Sequence, residues 1–150
     1  MTTVSEFAIR AYRASDYPFV RSSFLEWLHE TEHFRRMAYA PFKTLLGPIL
    51  DSLLDSWECL VLHPAVDADE IAGWVLFSKA ERCIAFLYVK KDPWRKQGNS
   101  WRLLAATGMD IDRPVRALFW SRRACQLARL KGIKIEPVSH VEGLRIFSGA

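Results

Sequence analysis

The sequence predicts a mixed α/β domain with a largely antiparallel front sheet and a β-α-β-α-β rear. Two observations predict it. Apolar residues keep helical spacing through residues 17–33 and 42–57, then give way from Glu58 onward to short runs rich in β-formers. Turn-like segments separate the first of these runs and helical stretches the later ones, so the order reads β-α-α-β-β-β-α-β-α-β. Size agrees: 150 residues, 50% of them apolar, with seven glycines and seven prolines, make one ordinary domain over residues 1–150 that can bury a core without disulfides.

Residues 7–13 alternate imperfectly and read as a strand, after which Ser15 and Asp16 can cap a helix with Pro18 in its first turn. In that helix Val20, Phe24, Trp27 and Leu28 fall at i, i+4, i+7 and i+8, with Glu26, Glu30 and Glu32 mostly off the stripe. The second helix, residues 42–57, spaces Phe42, Leu45, Leu46, Ile49, Leu50, Leu53, Leu54 and Trp57 by threes and ones. Gly47-Pro48 interrupts it, and since Pro48 lacks an N–H and crowds the preceding turn, a kink or two short helices in series is expected. That stripe faces a core or serves as a partner-binding or lid surface.

Residues 58–63, 71–79 and 82–90 read as three strands of a meander. Residues 99–107 form a helix, 115–120 a strand, 121–131 a helix stopped by Gly132, and 133–138 a last strand.

Charge divides the chain. Residues 1–75 hold 6 Lys/Arg against 11 Asp/Glu, a balance of −5, and residues 76–150 hold 15 against 6, a balance of +9. The basic half calls for an anionic partner. No segment reaches the roughly 18 consecutive apolar residues of a membrane span, and the start of the chain lacks a signal-peptide pattern, so a cytoplasmic protein without membrane association is expected. Cys59, Cys83 and Cys125 are widely spaced and suggest neither disulfides nor a zinc knuckle.

The basic excess gathers between the third meander strand and the next helix. Lys90, Lys91, Arg95, Lys96 and Arg102 against Asp92 leave +4 there, and Gly98 opens the helix. Backbone N–H groups at a helix N-terminus, aligned dipoles and a position without Cβ suit a pyrophosphate.

This stretch, with the order of elements around it, resembles the GNAT superfamily of acyl-CoA N-acyltransferases. Tyr88-Val89 matches the family's aromatic-Val strand end, and Arg95-Lys96-Gln97-Gly98-Asn99-Ser100 its Arg-x-x-Gly-x-Gly/Ala loop. The resemblance implies a GNAT-like domain with a mixed, mostly antiparallel sheet flanked by helices, and an N-acyltransferase, in the first place an N-acetyltransferase. It also implies coenzyme A or acetyl-CoA as acyl donor, held by Tyr88, Val89 and residues 95–100, and a small-molecule or protein amine as acceptor. Ser100 replaces the usual Gly or Ala, the loop before Arg95 is one residue longer than the pattern, and Ala128 stands where the family's general-acid tyrosine is common.

Transfer to an amine needs a polarised carbonyl, a neutral amine and a proton for the departing thiolate. The resemblance places backbone N–H near Val89 at the carbonyl. With Ala128 unable to donate, Ser121 and Cys125 are the candidate acids, and Tyr88 and Glu81 the candidate bases. The acidic N-terminal half, with Trp27, Phe34, Tyr39, Phe42 and Trp57, would meet a cationic acceptor. The alternative is a catalytically inactive GNAT-like fold serving as a protein-binding, inhibitory or assembly module, through the apolar helix of residues 42–57 to another protein or a second copy.

Two other motifs compete. His29-Glu30-Thr31-Glu32-His33 matches H-E-x-x-H, with Glu58 as the tempting third ligand; a charge at Glu32 and the acidic helix side favour a solvated helix end, and no metal is expected. Trp94 and Trp101 interleave with Arg95, Lys96 and Arg102, but no nucleic-acid-binding signature accompanies them, so nucleic acid is not the expected partner.

Overall fold

β1 (Phe7–Ala11), β2 (Glu58–Pro64), β3 (Gly73–Ser78) and β4 (Cys83–Val89) pair antiparallel in sequence order, and β5 (Val115–Ala117) and β6 (Ile135–Pro137) add parallel beyond β4. This computed structural model describes residues 6–31, 34–90, 99–110, 112–119 and 132–137. α1 (Tyr17–His29) and α2 (Tyr39–Ser56) share one apolar cluster with Val61, Trp74, Leu76 and Phe86, whereas α3 (Asn99–Ala106) packs on β2, β3 and β4 in a second cluster with Val75, Ile84 and Val89. The sheet therefore lies between two layers of helix, which is the mixed, mostly antiparallel α/β class expected.

The alternation of strand side chains assigns residues to these layers, with one interruption. Leu76 pairs with Phe86 but Phe77 pairs with Ile84, which leaves Ala85 as an additional residue on β4. Ala85 and Phe86 consequently both join the α1/α2 cluster, and from there Tyr88 packs against that cluster while Val89 belongs to the α3 cluster.

α1 ends at His29, four residues short of the expected end. The H-E-x-x-H stretch thus begins at the last residue of the helix. His33 lies outside the described residues. His29 Nε2 donates to the Met37 carbonyl at 2.9 Å, and its ring packs on Tyr39 and Phe42 at 5.1 and 4.8 Å. It closes the α1–α2 connection. Among the described residues no group of three His, Cys, Asp or Glu is placed to hold a metal.

Of the two expected outcomes, a kink or two short helices in series, the second does not occur: α2 is one helix with Pro48 inside it. Pro48 is exposed, as is Thr44, whose carbonyl loses its helical donor, so water replaces the missing bond. Gly47 beside it is buried, and a Cβ there would stand 3.4 Å from the Arg21 guanidinium of α1. Of the two readings of its apolar stripe, the core-facing one holds: Phe42, Leu46, Ile49, Leu50 and Leu53 are buried, leaving Leu45 and Tyr39 exposed. No helix among the described residues is long and apolar enough to cross a membrane.

Asp16 also differs from its expected role. It occupies the N-cap of α1 but makes no capping hydrogen bond. Its carboxylate instead accepts both Arg10 Nη1 and Nη2 at 2.7 Å and the Arg13 N–H at 2.8 Å. Arg10 further donates to the Ala68 carbonyl, so this pair ties β1, the entry to α1 and the β2–β3 connection together.

Candidate functional site

The fold brings two chain ends together at one place: the C-terminal end of β4 and the α3 it leads into. The local sequence explains both. Residues 83–89, Cys-Ile-Ala-Phe-Leu-Tyr-Val, have no charge and every reason to form an interior strand; Asn99 starts a helix whose inward residues Leu103 and Leu104 are buried. Lys90 N–H donates to the Ala72 carbonyl at 2.8 Å, so the chain stays paired to β3 one residue past the strand. Val89, Leu103 and Leu104 then share one apolar cluster.

β4 pairs with β5 through its first residues. Strand pairing with β5 covers Cys83 with Arg116 and Ile84 with Ala117, and Leu118 N–H and Phe119 N–H donate to the Ile84 and Ala85 carbonyls, both at 2.9 Å. Among the described residues the β5 side reaches no further. The bulge at Ala85 marks the place, and Phe86 to Val89 extend beyond it. β5 itself ends at Ala117, three residues before the expected end, and β6 begins at Ile135, two after the expected start.

Of the residues expected to hold a cofactor, the structure places four. Val89 is buried on the α3 side of the sheet, with α3's first residues Asn99, fully buried, and Ser100, exposed. Tyr88 is half-buried on the opposite face, edge-on to Phe19 at 6.1 Å and stacked on Phe86 at 6.5 Å. The set is thus split by the sheet edge: Val89 and α3 on one side, the Tyr88 ring on the other. Arg95, Lys96, Gln97 and Gly98 lie outside the described residues, as do Ser121, Cys125 and Ala128.

Electrostatics at the junction differ from the simple charge count. Arg102, one of the cations expected to face an anion, donates from Nη1 to Asn99 Oδ1 at 3.0 Å and lies over the Phe7 ring at 5.9 Å. It braces the first turn of α3 against β1. Lys90 is exposed at the strand end. Glu81 sits in the turn before β4, 3.3 Å from Arg116, at the other end of a strand roughly 20 Å long. That position removes it as a base for chemistry at Val89.

Cys59 and Cys83 are free and buried, and burial pushes both thiols up to about 12. Their thiolate fraction at pH 8 is on the order of 1 in 10,000. Iodoacetamide at pH 8 should leave both unmodified in the native protein and alkylate both in denaturant, as read by peptide mass spectrometry; native labelling at either would contradict this burial.

Two aromatics expected on the acceptor side, Phe34 and Phe42, are fully buried in the core, whereas Trp27 and Trp57 are half-buried. Phe19, which the sequence did not single out, stands beside Tyr88 instead. Its signal was available: Phe19 begins the edge of the α1 stripe. Tyr39 is 41% exposed and lines, with Tyr17, Arg21, Lys43, Gly47 and Asp51, a groove of about 580 Å³ between α1 and α2. The groove takes no residue from β4 or α3.

No protein-family model matches the chain, and no curated protein matches it by sequence. Solved structures do. A "possible acetyltransferase" from Clostridium difficile 630 superposes with a TM-score of 0.56 at 15% identity, over 85% of this chain and 90% of that one. A provisionally described acetyl transferase from Pyrococcus furiosus gives 0.52 at 18% identity, over 89% and 81%. An acetyltransferase of the GNAT family from Staphylococcus aureus Mu50 gives 0.45 at 15%, over 67% and 62%. The first two likenesses show that the chain shares the fold of those two proteins.

Proposed function

We propose, with the GNAT fold as premise, that this chain is an acyl-CoA-dependent N-acyltransferase, an N-acetyltransferase in the first place, that moves an acyl group from coenzyme A to an amine. One observation carries the reading: the end of β4 and α3 pack in one apolar cluster, Val89 with Leu103 and Leu104, and the basic stretch of residues 90–98 joins them in sequence. Gly73, without a Cβ, lets the Tyr88–Val89 backbone and Leu103 of α3 approach β3 closely at that place.

Arg95, Lys96, Gln97 and Gly98, with Asn99 and Ser100 of α3, hold the pyrophosphate of coenzyme A; Tyr88 and Val89 line the path of the thioester arm. The bound thioester supplies an activated acyl group. A proton must reach the departing sulfur, and with Ala128 at the position of the family's usual tyrosine, Ser121 and Cys125 are the groups from which it would come, while Tyr88 would be the base that takes the proton of the amine. The acceptor is a small-molecule or protein amine approaching from the acidic N-terminal half, where Phe19 and Trp27 offer aromatic faces to a cation. The acetyltransferase descriptions of the structural neighbours support a transferase over a non-catalytic assembly module.

Acetyl-CoA at a hundredfold excess over its dissociation constant is expected to stabilise the protein by ~2.7 kcal/mol, raising Tm by about 5–10 °C. Gly98→Trp, filling the loop with a ring, should abolish the shift. An unchanged Tm for the wild-type protein at millimolar acetyl-CoA would sink the cofactor assignment.

A further inference from the structure

We infer that Gly73 is a positioning residue for the acyl-donor site, holding the end of β4 and α3 at the separation the site needs. The inference rests on the cofactor reading above. Gly73 opens β3 opposite Val89 and is buried. Its φ lies outside the left-handed region, so its conformation is one that any residue adopts, and its lack of a side chain matters for space alone. A Cβ built there would stand 2.5 Å from the Tyr88 carbonyl oxygen, 3.3 Å from Val89 Cα and 3.3 Å from Leu103 Cδ1 of α3. Two of those three neighbours are backbone of β4 and cannot rotate away.

Relief would require displacing either the strand end or the helix. The strand end is held from the other side of the same peptide run, because Lys90 N–H donates to the carbonyl of Ala72, the residue before Gly73. Ala72 and Gly73 therefore fix Tyr88, Val89 and Lys90 by one hydrogen bond and one close approach, and Leu103 seats α3 on the same spot. A glycine inside a strand forfeits packing and chain entropy, and a common reason for tolerating it is close approach of another backbone or a ligand. Here the first reason applies: the backbone admitted is that of Tyr88 and Val89, the strand end assigned to the cofactor site.

Gly73→Ala is expected to weaken acetyl-CoA binding at least tenfold by calorimetry. Val75→Ala, in the same strand and in the buried cluster that holds Val89 and Leu103 but two register pairs further from the strand's end, serves as the structural control. It should lower Tm comparably and leave the dissociation constant within twofold of wild type. Equal affinity in Gly73→Ala and wild type, or an equal loss in the two variants, overturns the inference. Failure of the wild-type protein to bind acetyl-CoA overturns the underlying reading instead. Should Gly73→Ala not fold, Leu103→Ala, which withdraws α3's side of the contact, is expected to show the tenfold loss; wild-type affinity in that variant overturns the inference.

Discussion

Replacing Asp16 by Asn is expected to cost the fold about 3–5 kcal/mol at pH 7, because it leaves the Arg10 guanidinium buried without its counter-charge. The side chains of Arg10 and Asp16 are 12% and 4% exposed and joined by two 2.7 Å bonds, so neither can turn to water without disrupting β1 or the start of α1. Burial by itself would raise the Asp16 pKa. The Arg10 hydrogen bonds, the Arg13 N–H and the charges of both arginines outweigh it and hold the carboxyl below its ordinary value. A carboxyl lowered in the folded state contributes stability that is fully present above the unfolded value near ~4 and is lost as pH falls through the folded one. Urea midpoints from pH 7 down to pH 2.5 should therefore fall for the wild-type protein below about pH 4 and fall less steeply for Asp16→Asn. Parallel profiles, or a midpoint at pH 7 equal to wild type, would show that the pair contributes nothing.

Trp74→Ala should be comparably severe, about 3–5 kcal/mol, since a fully buried indole is removed from the centre of the α1/α2 side. Trp74 stacks on Phe86 at 4.8 Å and 30°, and Phe86 in turn meets Phe24 and Trp27 at 5.2 Å. Its Nε1 donates to Ser23 Oγ at 2.8 Å, and Ser23 itself donates back to the α1 backbone at Phe19 and Val20. The indole thus joins β3 to α1 by a directional bond as well as by packing. Trp74→Phe keeps a ring and loses the bond, so it should cost less, about 1–2 kcal/mol including the volume lost. Denaturant midpoints for the two variants separate the contributions; equal losses would mean that the hydrogen bond, and not the ring, dominates. Because Tyr88 stacks on Phe86, the alanine variant should also loosen the strand end.

Much of the fold was legible because its signals are local. Helical spacing located α1 and α2, β-rich runs located the meander, and the start of α3 at Asn99 followed from a glycine and a polar residue before an apolar stripe. Where the outcome differed, the cause was three-dimensional geometry that spacing along the chain does not show. Asp16 looked like a cap from its neighbours, yet Arg10 and Arg13 claim its carboxylate. Pro48 left a kink or a break open, and α2 continues through it, its apolar face buried along much of its length while Pro48 is exposed. Arg102 counted as a free cation in the charge sum, yet Asn99 and Phe7 hold it.

The candidate site divides along the same line. By itself the sequence determined that a strand, a basic loop and a helix follow one another around Gly98, since strand propensity, charge and glycine are properties of residues in order. Only the tertiary structure decided that β4 slips by one residue at Ala85, that Tyr88 and Val89 consequently face opposite helical layers, and that Gly73, fifteen residues before Tyr88, admits the strand end and α3 to the same place. The physical reason is that register and close approach are set by the atoms across the gap, and those atoms belong to segments that composition and spacing along the chain do not bring together.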